Sequence, residues 1–433
     1  MGGAARAAQL ALRLSRRLWF LPACYAFVAV VFILLSPLLE PLMPKGLQAL
    51  VDRDTLRDVF GMLASSMLAV AIFSLGTMVQ AIQAAAGAAT PRARSLMTAD
   101  RTAQNAISTF IGASIFSLLG IIALSTGLYD DSSPVVLLTL TVLMIGLVIT
   151  TLIAWIDKLS HIGGVAEAVN AVERVTANAF STLGEDRFCG GRPAATVPTI
   201  GDRVTLGRFG HVTSIDIPAL GELATTIGTE LFLIVRPGAY LDPGRPVVIA
   251  TGPLTDPARA TITAAFVVAN QREFDHDPRF GLVVLAEIAS RALSPAVNDP
   301  GTAIDVVDTA VRVLAGWGDT VGRAIPAPEF PNLHVVDLDA QDLLADVFRP
   351  IARDGAGCLE VAVRLQKSLA ALAALDEELF GPAARALRDD AFERAHDAMT
   401  SAVDLEELAT AHAAPRAAGT EQPSLGDEKG RGR

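Results

Sequence analysis

Lysine is almost missing from this chain: there are four among its 35 basic residues. The other scarcities exclude more. The three cysteines, Cys24, Cys189 and Cys358, stand too far apart to match a zinc or disulfide framework, and they read as isolated thiols of a reducing compartment. The six histidines are scattered with no pair at metal-binding spacing, and neither a phosphate-cradling glycine loop nor a nucleophile elbow occurs. The sequence therefore nominates no catalytic residue, no metal site and no cofactor. Asp, Glu, Lys and Arg are also absent from four long apolar stretches. Ionisable groups in such places mark proton relays and many ion-coupled transporters, so coupled transport is the weaker transport reading.

What is there in quantity is apolar surface, with a hydrophobic share of 51% and a mean hydropathy of +0.43, above ordinary soluble composition. It is concentrated before Asp157. Arg13, Arg16 and Arg17 precede the uncharged run 18–39, which is long enough to span a bilayer and too long for a signal peptide. The charge-free runs 59–91, 102–128 and 135–156 supply three more spans, the last two joined by a short acidic link at 129–134. This predicts a four-helix transmembrane domain over 1–157. Cytoplasmic loops retain Lys and Arg. The N-terminal arm is purely basic, Arg92, Arg94 and Arg101 stand against Asp100 between spans two and three, and the Asp130/Asp131 hairpin has no base. The expectation is a multi-pass protein of a bacterial inner membrane, in contact with the lipid bilayer, with both termini cytoplasmic. The link between the first two spans is mixed in charge, Lys45, Arg53 and Arg57 against Glu40, Asp52, Asp54 and Asp58.

Up to Asp157 ten basic residues face eight acidic ones, which leaves 25 and 38 for the rest of the chain, a net of −13. Acid repels phosphate backbones, so nucleic acid is not an expected partner.

In the second span Ser66, Ser74, Thr77 and Gln80 fall within about a third of the helix circumference at 3.6 residues per turn. Such a stripe can line a pore. It can equally serve helix packing, since Gly61, Ser65 and Ala69 form a small-xxx-small series on the same helix.

After Asp157 an amphipathic pattern (Ile162, Val165, Val169, Val172, Val175) predicts a helical neck, and the Gly/Pro-rich 184–198 closes this linker region, 158–198. Short β-like runs at 203–206, 210–215, 230–235 and 246–250, with turns at Pro237-Gly238 and Asp242-Pro-Gly244, predict a small β subdomain over 199–260. The segments 210–215 and 236–244 resemble the halves of a barrel-sandwich, the fold of biotinyl and lipoyl carriers. The β segment has no lysine to carry such a group, so the resemblance implies structure alone. A helical cytoplasmic domain follows over 261–412. It has a strand at 332–337, helices at 341–348, 358–376 and 390–411, and then a disordered tail over 413–433.

The densest polar run lies at 291–305. One apolar helix face (Leu282, Leu285, Ile288, Ala292) breaks at Ser294-Pro295, and a second (Ile304, Val307, Val311, Leu314) starts at Asn298-Asp299-Pro300, where Asp299 is placed to cap it and Pro300 fits the first turn. Arg291, Ser294, Asn298, Asp299 and Thr302, with Asp275 and His276 upstream, are the candidate ligand-binding residues. A purely structural corner, a site for a small ligand or ion, and a catalytic corner using these acids and His276 are the three readings.

The run Arg291-Ala-Leu-Ser-Pro-Ala-Val-Asn-Asp-Pro-Gly-Thr-Ala303 resembles the hallmark of a family of predicted bacterial membrane proteins catalogued as domain of unknown function 2254. Arg17-Leu-Trp-Phe-Leu-Pro22, Thr90-Pro-Arg92, Thr109-Phe-Ile-Gly112, Arg236-Pro-Gly238 and Asp277-Pro-Arg-Phe-Gly281 are similar to its other landmarks, in the same order. The segment 83–89 departs from the family pattern in being mostly alanine. The resemblance implies an integral membrane protein with a cytoplasmic domain and brings no activity with it. The functional readings are a channel-like or facilitative transport protein gated by its cytoplasmic domain, which would need a homo-oligomer, a membrane-anchored sensor or scaffold, and a membrane-bound hydrolase.

Overall fold

The computed structural model of this chain describes residues 20–35, 53–88, 90–97, 101–126, 134–161, 164–322 and 325–414. They belong to two compact units, Met1–Ala168 and Val169–Arg433.

The first unit is helical: α1 (Phe20–Leu35), α2 (Arg53–Ala88), α3 (Pro91–Met97), α4 (Arg101–Ser125) and α5 (Pro134–His161). Three segments, Arg53–Gln80, Gln104–Ser125 and Val136–Asp157, are long and apolar enough to cross a membrane. The sequence predicts four spans. The remaining one corresponds to α1, which has 16 residues, and the rest of the 18–39 run lies outside the described residues.

α4 is the centre of this unit. It packs against α1, α2 and α5, and 56% of its apolar window is buried against 22% in α2 and in α5. Its small residues cause this. A Cβ on Gly112 would stand 3.0 Å from Tyr25 of α1, and one on Gly120 would stand 2.8 Å from the Phe60 ring of α2. The Ser114 hydroxyl donates across the α2–α4 interface to the Ala64 carbonyl at 2.9 Å, and Phe60 meets Phe116 edge-on with ring centroids 5.7 Å apart. Thr90 caps α3, accepting from the Ala93 amide at 3.3 Å, with Pro91 in the first turn. Outward positions such as Met62, Ile72 and Phe73 on α2 and Leu143 and Ile153 on α5 are exposed. Apolar surface outside and close backbone contact inside is the distribution that lipid favours.

The second unit begins in α6 (Val165–Glu185), which buries Val169, Val172, Thr176 and Phe180. Its main sheet runs in the order β1 (Arg192–Pro193), β8 (Leu333–Val335), β4 (Leu231–Leu233), β6 (Pro246–Ala250), β2 (Asp202–Thr205). β8 is parallel to both its neighbours, with Leu231 opposite Leu333 and Leu233 opposite Val335, and the other pairings are antiparallel. A second, antiparallel sheet has the order β5 (Tyr240–Leu241), β3 (Gly210–Ile215), β7 (Phe266–Ala269). The segments compared above with a barrel-sandwich lie in this smaller sheet and in the turn leading into it. β1, β7 and β8 come from outside 199–260, so the β layer is assembled from more of the chain than the predicted subdomain. Val212, Leu220, Leu231, Leu233, Val248 and Leu333 share its core with α7 (Ile217–Ile227) and α8 (Asp256–Ala264).

The helical layer consists of α9 (Pro278–Ala292), α10 (Pro300–Val321), α11 (Ala340–Asp354), α12 (Leu359–Leu375), α13 (Gly381–Ala398) and α14 (Ala402–Ala413). α11 runs past the predicted end at 348 and through Pro350, because Leu343, Val347 and Ile351 keep burying one face. The single helix predicted over 390–411 is two. Ser401 restarts the chain as the cap of α14, accepting from the Asp404 amide at 3.4 Å. The predicted tail beyond 414 lies outside the described residues.

Gly120→Leu should drive a side chain into the Phe60 ring and destabilise the helical unit by about 1–3 kcal/mol. Gly146→Leu, on a surface where a Cβ meets nothing within 4 Å, should leave it unchanged. Thermal unfolding of the two variants in detergent micelles makes the comparison.

Candidate functional site

The carboxylate of Asp277 is 3% exposed, and its partners account for that burial. It caps α9, accepting from the Phe280 amide at 3.1 Å, with Pro278 in the first turn. Arg272 grips both oxygens, Nε to Oδ2 at 2.7 Å and Nη2 to Oδ1 at 2.9 Å, and lies 5.0 Å from the centre of the Phe280 ring. The Pro237-Gly238 turn rests on the same carboxylate: at Gly238, where φ is 94°, a Cβ would stand 2.2 Å from Oδ2. Arg279 reaches α11, with Nε 2.7 Å from Asp346 and Nη1 2.6 Å from Asp342. Gly281 lies under α6, where a Cβ would stand 1.8 Å from the Thr176 hydroxyl. Two landmarks far apart in sequence, Arg236-Pro-Gly238 and Asp277-Pro-Arg-Phe-Gly281, thus form one knot.

Beside the knot opens a cavity of about 570 Å³, a volume ordinary for small-molecule sites. α6 lines it with Ala179, Thr182 and Leu183, the turn after β4 with Arg236 to Ala239, the start of α9 with Asp275 to Arg279, and the start of α11 with Asp339, Asp342 and Asp346. Arg236 donates from Nε to the Val336 carbonyl at 2.6 Å and from Nη2 to the Arg187 carbonyl at 3.0 Å. Burial holds its guanidinium below the ordinary arginine value, and nearby Asp337 opposes that; an arginine stays charged under such a shift. Burial likewise pushes the Cys189 thiol up, with Arg236 opposing, so this half-buried cavity cysteine is alkylated slowly at neutral pH and faster in mild base. Among the described residues no group of three or more His, Cys, Asp or Glu is placed to hold a metal ion.

The structure divides the candidate ligand-binding residues. Asp275 and His276 line the cavity from exposed positions. Arg291, Ser294, Asn298, Asp299 and Thr302 lie at the other end of α9, a 15-residue helix about 20 Å long at 1.5 Å per residue. There Asp299 caps α10, accepting from the Thr302 amide at 3.1 Å and the Thr302 hydroxyl at 2.6 Å. The Asp299 amide donates to the Ala292 carbonyl at 2.8 Å, and the Ser294 hydroxyl to the Arg291 carbonyl at 2.6 Å. Asn298 adopts φ 52°, in the left-handed region that asparagine tolerates. The corner is thus closed by its own hydrogen bonds. The hydroxyl and amide of Thr302 hold the Asp299 carboxyl below the usual carboxylate range.

The four stripe positions of α2 do not share one environment. Ser66 and Gln80 are exposed, Thr77 is half-buried and Ser74 is buried. The Ser66 and Thr77 hydroxyls donate to carbonyls of their own helix, Met62 at 2.7 Å and Ser74 at 3.0 Å, while the Ser74 hydroxyl has no partner among the described residues.

Asp299→Ala should cost about 0.5–2 kcal/mol, the loss of a helix cap. Because this carboxyl is depressed in the folded state, its contribution is complete above the unfolded value of about 4 and is lost as the pH falls through the folded one. Urea titrations at neutral pH and at stepwise lower pH should show the variant's deficit in full at the first and shrinking steadily as the medium is acidified below about pH 4. Gly238→Ala combines an unfavourable φ with a clash against a buried ion pair, and should cost about 2–4 kcal/mol in the same assay.

Comparison with known proteins gives relatives without an assigned activity. An uncharacterized protein of Mycobacterium bovis and one of Mycobacterium tuberculosis are each 31% identical to the chain over 122 residues, which is 27% of this chain and 22% of theirs. The alignment thus spans little more than a fifth of the length of these relatives. No solved structure matches the chain. A family model does, over residues 15–371, a range that takes in the helical unit, the Asp277 knot and the 291–305 corner. The chain belongs to the family described as predicted membrane protein, DUF2254.

Proposed function

We propose that this protein is a membrane-anchored receptor for a small polar ligand, with the cavity beside the Asp277 knot as its binding site. The observation that carries this reading is that α6, the helix by which the chain enters the second unit, forms one wall of the cavity through Ala179, Thr182 and Leu183. The same helix is fastened to the helical layer in the turn or two just before those residues. Thr176 packs against Gly281 of α9, and Glu173 takes both Nε and Nη2 of Arg312 on α10 at 2.9 Å. A ligand filling the cavity therefore acts on α6 directly and on α9 through its first turn. The arginine distribution supports a cytoplasmic position for this unit. The channel-like reading rests on Ser66, Ser74, Thr77 and Gln80, whose differing exposure and local hydrogen bonds lend it less support than the cavity lends the sensor.

Hydrogen exchange of the full chain in detergent micelles tests the proposal. Adding the low-molecular-mass fraction of a bacterial lysate should slow amide exchange in 176–183 and 235–239, and Ala179→Trp, which fills the cavity from the α6 side, should abolish that response. Unchanged exchange in both proteins would count for a scaffold that binds no small molecule.

A further inference from the structure

From the distribution of paired and unpaired charge around the cavity we infer that its ligand is a small soluble anion, bearing a carboxylate or phosphate group, taken up by Arg236 with Arg245 at the rim. This rests on the receptor reading and adds the chemical class of the ligand.

The cavity is not short of acid, so the argument depends on which charges are already satisfied. Asp277 is held by Arg272. Asp342 and Asp346 share Arg279. Asp337 is paired with Arg187, and Asp339 caps α11, accepting from the Gln341 amide at 2.9 Å. Asp275 alone of these carboxylates has no such partner among the described residues, and it is exposed. The arginines divide differently. Arg272 and Arg279 are neutralised by the carboxylates just named. Arg236 and Arg245 both line the cavity, yet neither has a carboxylate within ion-pair distance among the described residues. Arg236 donates to two backbone carbonyls, and Arg245 donates through Nη1 to the Tyr240 carbonyl at 2.7 Å.

Carbonyls orient a guanidinium without cancelling its charge. Asp337 acts on Arg236 only from beyond ion-pair distance and is already paired with Arg187, so this half-buried charge lacks a contact counter-ion, which is costly. Arg236 uses two of the five N–H groups that a guanidinium carries. The remaining ones lie at its terminal end, which takes a carboxylate or phosphate by two parallel hydrogen bonds. The carbonyls of Arg187 and Val336 hold that end in place, so an incoming anion meets a donor already oriented. The starts of α9 and α11 border the same cavity, and the positive ends of their dipoles favour the same sign of ligand.

The test uses the full chain in detergent micelles at low salt and pH 8.5, with Cys24→Ser and Cys358→Ser so that alkylation reports only Cys189, which lines the cavity. Succinate or inorganic phosphate should slow alkylation saturably, whereas putrescine and glycerol should not. Arg245→Gln, at an exposed position, should raise the half-protecting concentration severalfold, and Arg236→Lys, which keeps the charge and loses the fork, by about tenfold. Protection by putrescine or glycerol but not by the anions overturns the anion assignment and leaves a cavity that binds something else. So does anion protection that both variants leave unchanged. Slowing by phosphatidylglycerol in the micelle but by neither free anion overturns the assignment to a soluble ligand. If no probe slows alkylation the anion assignment falls, and the lysate exchange experiment then decides separately whether the receptor reading falls with it.

Discussion

A carboxylate removed from water must be paired and hydrogen-bonded or it destabilises the fold by several kcal/mol. The second unit is arranged around meeting that requirement at Asp277. Its two oxygens receive the guanidinium of Arg272 and the Phe280 amide in the first turn of α9, and the glycine at 238 lets a turn from the β layer close over them. One side chain therefore fixes where α9 begins, where the loop before it lies and how near the β layer comes to the helices. The cavity exists because these elements are held by their ends. Their middles pack elsewhere, α9 on α10 and α11 and β4 between β6 and β8.

The helical unit solves a different problem by a different means. Lipid offers no hydrophobic drive for one apolar helix to pack on another, so association depends on close approach and on the few hydrogen bonds that cross between helices. α4 supplies both. Gly112 and Gly120 admit Tyr25 and Phe60, and the Ser114 hydroxyl reaches a carbonyl of α2. α4 is accordingly the most deeply buried of the three long apolar helices.

Much of this was legible in the sequence because the signals were local and strong. Runs without charge identified the apolar helices, and Asn298-Asp299-Pro300 announced the start of α10, with Asp299 as its cap and Pro300 in its first turn. The cavity was not legible, because it is a junction of distant segments. Nothing about Arg236 in sequence says that its partners are carbonyls at 187 and 336 rather than a carboxylate. Asp275 and His276 do reach the cavity, while Arg291 to Thr302 do not, since sequence proximity said nothing about the intervening helix length. The two landmarks that build the knot were visible as motifs, and only their meeting was hidden. The β layer misled in a similar way: two-residue strands such as β1 and β5 carry no alternation to read, and β8 pairs with residues about a hundred positions earlier.

That last pairing bears on how the molecule comes into being. β8 lies between β1 and β4, so until residue 335 has been synthesised the main sheet is split, with two facing edges exposed and hydrogen-bonding groups unpaired along both. A chain emerging from the ribosome carries this gap while more than half of its length is already made, and open strand edges at that stage invite pairing with the wrong partner. Closure by a parallel strand of such long sequence separation is also intrinsically slow. The helices that follow β8 arrive only after the gap can close, which makes the late strand the step that commits the second unit to its fold.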